Sequence, residues 1–100
     1  MKVIADVSVT PLGVGASVSN YIAECERVFT DVGMRPNVHA EGTEVEGDWE
    51  QVFQAVKRCH ERLHAMGVEH IETSIRLSTR TDVEETISRA VRSVREKVGV

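Results

Sequence analysis

The sequence has little of what several classes of protein depend on. Only four of the 100 residues are aromatic, there are two cysteines, and no CxxC pair occurs. RNA-recognition sheets expose aromatic side chains for base stacking, and redox or structural zinc motifs need closely spaced cysteines. Acidic residues outnumber basic ones by 16 to 12, so the chain lacks the positive surface that displaces counterions from nucleic acids. The composition therefore predicts a protein that binds no nucleic acid.

Long apolar runs are also absent. No stretch approaches the roughly 20 apolar residues of a membrane helix, and Asp6 interrupts the N-terminus too early for the apolar part of a signal peptide. Cys25 and Cys59 each fall on the apolar face of a predicted helix, which favours reduced, packed thiols. We therefore expect a cytoplasmic protein with no membrane segment, whose residues 1–100 form a single domain.

Four stretches have the alternating apolar pattern of β-strands. They cover residues 3–12, 36–41, 43–46 and 68–78. Gly42 separates the second stretch from the third, and it is expected to form the tight turn of a hairpin. The pattern therefore predicts a hairpin of the second and third strands, with the first strand before it in the chain and the fourth after it.

Three further stretches carry apolar residues at helical spacing. The first helix is expected to begin at an N-cap at Ser17, the second at Asp48, and the third at a capping box of Thr81 and Glu84. The resulting order is β-α-β-β-α-β followed by one more helix. It predicts an α+β fold, namely a ferredoxin-like, four-stranded antiparallel sheet with both crossover helices on one face and an extra C-terminal helix.

The sheet face turned away from the crossover helices is expected to be polar. Alternation puts Asp6, Ser8 and Thr10 of the first strand on that face. Because the first strand is expected to lie between the third and the fourth, Asp6, Glu46 and Glu72 would meet there. Such a cluster is typical of a site for a small polar or cationic ligand, and also of a solvated or interface-lining surface.

The segment from His60 to His70 matches the HExxHxxGxxH zinc-binding pattern. In metallopeptidases with this pattern, His60, His64 and His70 would bind the metal and Glu61 would act as general base. Such enzymes place a methionine beneath the metal, downstream of the third histidine, whereas all three methionines of this chain precede His70. Alternation also turns His70 away from the second helix. We therefore expect no catalytic or metal-binding residues and keep zinc binding, or metallopeptidase activity, as the alternative.

Two motifs resemble the small thiamine-binding proteins related to YkoF. They are VSVTPLGVG at residues 7–15 and EGTEVEGDW at residues 41–49, and the likeness runs along nearly the whole chain. The resemblance implies a ferredoxin-like fold, homodimers or homotetramers assembled through the sheets, and binding of thiamine or its pyrimidine moiety without catalysis. The role would be that of a carrier or a sensor. A scaffold domain that binds no small ligand is a further alternative.

The ligand-binding residues follow from the resemblance together with the polar face. The predicted set is Asp6, Ser8, Thr10, Gly13, Thr43, Glu46 and Trp49. An aminopyrimidine needs a carboxylate acceptor and hydroxyl groups, which Glu46, Ser8 and Thr10 supply. A thiazolium cation favours an acidic neighbour such as Asp6. Trp49 is a candidate for stacking on a ring of the ligand and, as the first residue of an apolar stripe, also a candidate for the core.

Overall fold

The secondary structure follows the predicted order. A computed structural model describes residues 1–84 and 86–99 of the chain. In chain order, its elements are β1 (Lys2–Leu12), α1 (Ser19–Asp31), β2 (Asn37–His39), β3 (Gly42–Asp48), α2 (Trp49–Ala65), β4 (His70–Ser78) and α3 (Ile87–Val98). The first six elements give β-α-β-β-α-β and α3 follows them, which confirms the ferredoxin-like prediction. No helix in the described residues is both long enough and apolar enough to cross a bilayer.

The four strands form one antiparallel sheet in the order β2-β3-β1-β4. The central strand β1 pairs with β3 on one side and with β4 on the other, as predicted. Its apolar residues Val3, Ala5, Val7 and Val9 are buried against α1 and α2, whose own buried residues include Phe29 and Leu63. Both crossover helices thus lie on one side of the sheet, here called the helix side.

The opposite side of the sheet is here called the open face, and it carries the alternate residues of each strand. Asp6 and Ser8 of β1 lie on it, level with residues of β3 and β4. The C-terminal helix does not form a second layer there, since α3 has no buried residue. Burying a Val, Leu or Phe side chain stabilises a fold by about 1.5–3 kcal/mol. The helix side therefore holds the fold together, and the polar residues of the open face are left for other roles.

The junction between β3 and α2 fixes where the open-face residues of β3 project. Asp48 occupies the N-cap of α2, as predicted, and its backbone N–H donates to Gln51 Oε1 at 3.4 Å in a capping box. Gln51 Nε2 in turn donates to the carbonyl oxygen of Val32 at 2.8 Å, which ties the start of α2 to the end of α1. A Cβ atom on Gly47 would lie only 2.5 Å from Gln51 Oε1. Glycine at this position therefore makes room for the capping side chain.

The turn prediction for Gly42 is wrong. The turn residues between β2 and β3 are Ala40 and Glu41, and Gly42 is the first residue of β3, paired with His39. Its φ angle is not positive. Glycine is required there for a different reason, because a Cβ atom would lie 2.9 Å from the carbonyl oxygen of Val7 on the neighbouring strand. Close approach of two backbones, and not a left-handed turn, explains this glycine.

Two helix starts also differ from the predicted positions. The helix α1 begins at Ser19 with Val18 at the N-cap and no side-chain cap, so Ser17 does not cap it. The helix α3 begins at Ile87, after the predicted capping box of Thr81 and Glu84. Its N-cap is Thr86, whose hydroxyl oxygen accepts from the backbone N–H of Arg89 at 3.1 Å. Thr86, five residues after Thr81, thus provides the acceptor for a free N–H group at the start of α3.

Candidate functional site

The open face is organised in rows of residues that lie side by side across β3, β1 and β4. One row is Glu44, Asp6 and Arg76, and the adjacent row is Glu46, Ile4 and Ser78. A shallow cavity of about 230 Å³ opens over these rows, and its lining includes Ile4, Asp6, Glu44 and Arg76. A second cavity, of about 250 Å³, borders Glu46 and the segment before α3. We call Ile4, Asp6, Glu44, Glu46 and Arg76 the Glu46 site.

Glu46 forms a hydrogen bond with the first residue of α3. Its Oε2 atom accepts a hydrogen bond from the backbone N–H of Ile87 at 2.9 Å. The first N–H groups of a helix have no partner within the helix, and the helix dipole favours a negative charge at this end. Glu46 is nevertheless exposed. Its carboxylate is therefore fixed in position by α3 and still accessible to a ligand.

Asp6 and His39 of β2 form a hydrogen bond across β3, which becomes an ion pair when His39 is protonated. The Nε2 atom of His39 donates to Asp6 Oδ1 at 2.6 Å, and the Nδ1 atom accepts from the backbone N–H of Glu41 at 3.2 Å. Gly42 lies between the two strands, and a Cβ atom on it would sit 3.4 Å from Asp6 Oδ1. The hydrogen bond from Asp6 raises the pKa of His39 above its ordinary value. A Cβ atom at residue 42 would thus touch the carboxylate of Asp6 beside its hydrogen bond with His39.

The Asp6–His39 pair is expected to make stability depend on pH. The unfolded pKa of histidine is about 6.5, and the folded pKa of His39 is raised. The contribution of the pair is therefore fully present below about pH 6.5 and is lost as the pH rises through the folded pKa of His39. Urea unfolding of the native protein and of Asp6→Asn should differ more at pH 5.5 than at pH 8.5.

Glu61→Gln on the helix side is the control, because it makes the same kind of change away from His39. Its difference from the native protein is expected to be the same at both pH values. A difference between the native protein and Asp6→Asn that does not change with pH would contradict the assignment.

The predicted meeting of Asp6, Glu46 and Glu72 is wrong for Glu72. Glu46 lies opposite Ile4, near the start of β1, whereas Glu72 lies opposite Thr10, near its end. At about 3.3 Å per residue, these two positions are roughly 20 Å apart along the strand. Both β3 and β4 run antiparallel to β1. Glu46 lies near the end of β3, beside the start of β1, whereas Glu72 lies near the start of β4, beside the end of β1. Asp6 and Glu46 remain together, and Ser8 follows Asp6 on the same face.

Five residues of the predicted ligand set lie outside the Glu46 site. Ser8 and Thr10 lie further along β1 on the open face, opposite Ser74 and Glu72, and the other three lie elsewhere in the fold. Thr43 is buried on the helix side, where its Oγ1 atom donates to Glu26 Oε1 at 2.9 Å. Trp49 opens α2, and its ring lies 5.2 Å from that of Phe53. Gly13 follows β1 and lines a cavity of about 300 Å³ beside His70. The structure therefore places Thr43, Trp49 and Gly13 outside the Glu46 site.

Sequence reasoning missed Glu44 and Ile4 as members of the Glu46 site. Glu44 shares its face with Glu46, because the two are separated by one residue in β3, and the same parity puts Ile4 beside Asp6. Alternation along β4 likewise puts Arg76 on the open face, and the register of β4 places it opposite Asp6. Alternation along a strand predicts the face on which each residue lies. It does not predict the register between strands, which decides the row of each residue.

The histidines of the zinc-like pattern make separate contacts. His60 Nε2 lies 2.5 Å from Thr73 Oγ1, and His64 Nδ1 donates to the carbonyl oxygen of Val68 at 2.7 Å. Burial lowers the pKa of His60. His70 lies on the open face, where its Nε2 atom is 3.8 Å from Glu72. Residues 1–84 and 86–99 contain no group of three or more side chains placed to hold a metal ion.

Comparison with known proteins gives consistent matches. A family model described as thiamine-binding protein matches residues 5–95. A UPF0045 protein of Synechocystis is 50% identical over 94 residues, which covers 94% of this chain and 78% of that protein. A UPF0045 protein of Methanocaldococcus jannaschii is 36% identical over 95 residues, covering 95% of this chain and 94% of the relative.

Solved structures share the fold. The crystal structure of the Methanocaldococcus jannaschii protein superposes with a TM-score of 0.88 over 95% of this chain and 97% of that chain. A Thermotoga maritima protein, provisionally assigned to thiamine biosynthesis or salvage, has a TM-score of 0.80 at 21% identity. That match covers 95% of this chain and 100% of the other, and at such low identity it shows the fold alone.

Proposed function

The chain belongs to the thiamine-binding protein family, and from this premise we propose that it binds thiamine, or the aminopyrimidine half of thiamine, at the Glu46 site without turning it over. The observation that carries the proposal is the carboxylate of Glu46, which accepts from the N–H of Ile87 at 2.9 Å and is still exposed at the cavity of about 250 Å³. A carboxylate fixed before the ligand arrives loses little conformational freedom on binding.

The chemistry of the site suits both halves of thiamine. The exocyclic amine of the pyrimidine is a donor, and Glu46 offers carboxylate oxygens as acceptors on the same face as the apolar side chain of Ile4. The thiazolium ring carries a positive charge. The site contains the carboxylates Asp6, Glu44 and Glu46 against the single guanidinium of Arg76. This acidic balance favours a cationic ligand.

Binding without turnover fits the distribution of titratable groups. Perturbed pKa values are typical of catalytic acids and bases. Among the described residues, burial is the main cause of the pKa shift at Glu26 and His60, and Glu26 contacts Thr43 on the helix side. His60 contacts Thr73 on the same side. The groups shifted by burial thus lie on the helix side, and we propose that the carboxylates of the Glu46 site bind a ligand, in a protein that carries or senses it.

We also propose that the chain works as a homodimer or homotetramer. Its described surface exposes apolar side chains that a monomer would leave in water, and α3 alone exposes Val91, Val94 and Val98 at 42%, 62% and 68%. Patches of this kind mark interfaces in soluble proteins. Light scattering at micromolar concentration should give a mass of at least a dimer, and a monomer mass would contradict the proposal.

The test of ligand binding is a calorimetric titration with thiamine beside one with zinc chloride. We expect a saturable heat with thiamine and none with zinc. The opposite result would favour the zinc alternative. Metallopeptidase activity that a chelator and Glu61→Gln both abolish would overturn the binding role. If neither thiamine nor zinc gives a saturable heat, the result would favour the alternative of a scaffold domain that binds no small ligand.

A further inference from the structure

We propose that the ligand of the Glu46 site is a phosphate ester of thiamine, whose phosphate group binds Arg76 while its aminopyrimidine binds Glu46. This inference rests on the proposed function and names the chemical form of the ligand. Three features carry it: a guanidinium group without a partner, hydroxyl groups beside it, and a separation between Glu46 and Arg76 that suits the two ends of such an ester.

The charge of Arg76 is uncompensated, unlike that of the other basic side chains on or beside the open face. Each of those lies within ion-pair distance of a carboxylate, in the pairs Lys2–Asp48, His39–Asp6, His70–Glu72 and Arg80–Asp82. Asp6 lies opposite Arg76 in the sheet but bonds to His39 instead. Residues 1–84 and 86–99 supply no ion-pair or hydrogen-bond partner for the Arg76 side chain. Because arginine is always ionised in proteins, its guanidinium is free to bind an anion.

Two hydroxyl groups lie beside Arg76 on the open face. Ser74 precedes Arg76 by two residues in β4, and Ser8 of β1 lies opposite Ser74. Neither hydroxyl has a hydrogen-bond partner in the part of the chain that the structure describes. A phosphate monoester carries a charge of roughly −1.5 to −2 at neutral pH and three acceptor oxygens. Arg76, Ser74 and Ser8 therefore form a corner with the donors that a phosphate group needs.

The carboxylates that border this corner each have a histidine partner. Asp6 Oδ1 bonds to His39 Nε2 at 2.6 Å, and Glu72 lies 3.8 Å from His70 Nε2. The hydrogen bond from Asp6 raises the pKa of His39, which favours the protonated imidazole. The positive charge of His39 then offsets the negative charge of Asp6. A phosphate group at Arg76 is therefore repelled less than it would be beside an isolated carboxylate.

Glu46 and Arg76 lie at the two ends of a diagonal across the sheet. Glu46 is on β3 opposite Ile4, and Arg76 is on β4 opposite Asp6. Two strand spacings of about 4.8 Å and a two-residue offset of about 6.6 Å put their Cα atoms roughly 12 Å apart. The aminopyrimidine and the phosphate of an extended thiamine ester are about 10 Å apart at bond lengths near 1.5 Å. One ligand therefore spans both residues, with its thiazolium ring near the carboxylates of Asp6 and Glu44.

The first test is a calorimetric titration of the native protein with thiamine and with thiamine monophosphate, in a buffer of low salt that contains no phosphate. We expect the ester to bind about tenfold tighter or more, as a hydrogen bond to a charged group predicts. Inorganic phosphate alone contacts only the corner at Arg76 and should give no saturable heat at the same concentrations. Equal affinity for thiamine and its ester, or inorganic phosphate that binds as tightly as the ester, would overturn the inference.

The second test removes the guanidinium that is assigned to the phosphate. Arg76→Gln should abolish the preference for the ester, and its affinity for thiamine should rise slightly because a positive charge beside the thiazolium ring is lost. Arg62→Gln is the matched control, because it makes the same change on α2, where Arg62 contacts Glu24. It should keep the native preference. An Arg76→Gln protein that still prefers the ester, or a preference that both variants lose, would overturn the role of Arg76.

The ratio of the two affinities separates this inference from the proposed function. Glu46→Gln should weaken the binding of thiamine and of its ester by the same factor, so the preference for the ester should remain. A native protein that binds neither ligand contradicts the proposed function, and the phosphate site with it. A native protein that binds thiamine, but its ester no more tightly, contradicts the phosphate site alone.

Discussion

Thiamine affinity is expected to fall about 10- to 150-fold when Glu46 is replaced by glutamine. A hydrogen bond to a charged group contributes about 1.5–3 kcal/mol, and each 1.4 kcal/mol corresponds to a factor of ten in affinity. The amide oxygen of glutamine can still accept from the N–H of Ile87, which Glu46 contacts at 2.9 Å. The start of α3 should therefore remain in place, and the melting temperature should change little.

Two controls separate loss of the acceptor from loss of structure. Glu61→Gln makes the same chemical change on α2 and should leave affinity unaltered. Asp48→Ala removes the N-cap of α2 close to Glu46, so it is expected to cost about 1 kcal/mol of stability without weakening binding per folded molecule. Equal thiamine binding by the native protein and Glu46→Gln would remove Glu46 from the site. Only family membership would then support the functional proposal.

Replacing Gly42 with alanine is expected to lower the free energy of unfolding by about 1–3 kcal/mol, the usual cost of overpacking. The new Cβ atom would lie 2.9 Å from the carbonyl oxygen of Val7 and 3.4 Å from Asp6 Oδ1. Alanine restricts the unfolded chain and so regains about 0.4–1 kcal/mol, which is less than the strain. Because the methyl group also crowds Asp6, the pH-dependent contribution of the pair with His39 should shrink.

Urea unfolding at pH 5.5 and pH 8.5 measures both effects of Gly42→Ala. Glu41→Ala, in the adjacent turn, is the control and should stay within about 0.5 kcal/mol of the native protein, as exposed substitutions usually do. A Gly42→Ala protein as stable as the native one would mean that β3 approaches Val7 less closely than the structure shows.

Alternation predicted the faces of the sheet better than it predicted the site. The polar positions of β1 and β4 face away from the helices as expected, because a strand has a period of two and one side is buried. The same parity puts Thr43 with Val45 on the helix side, which conflicts with a ligand-binding role at the Glu46 site. The resemblance to a family had named Thr43 without regard to its face.

The contacts that define the Glu46 site join residues far apart in the sequence, and no local sequence pattern predicts them. Asp6 reaches His39 because β2, β3 and β1 adjoin, with Gly42 of β3 lying between the two residues. Glu46 holds Ile87, which lies far along the chain and at a helix start that the sequence placed earlier. Local patterns report periodicity and caps, whereas such pairs depend on register and on the path of the chain after β4.

The most direct measurement is to map thiamine binding by following backbone amide chemical shifts during a titration. We expect the largest changes at Ile4, at residues 44–46, at Arg76 and at Ile87, whose N–H donates to Glu46. The amides of Gly13 and His70, at the cavity near the other end of β1, should stay unchanged. Shifts centred on that cavity, with residues 44–46 and Ile87 unmoved, would contradict the Glu46 site.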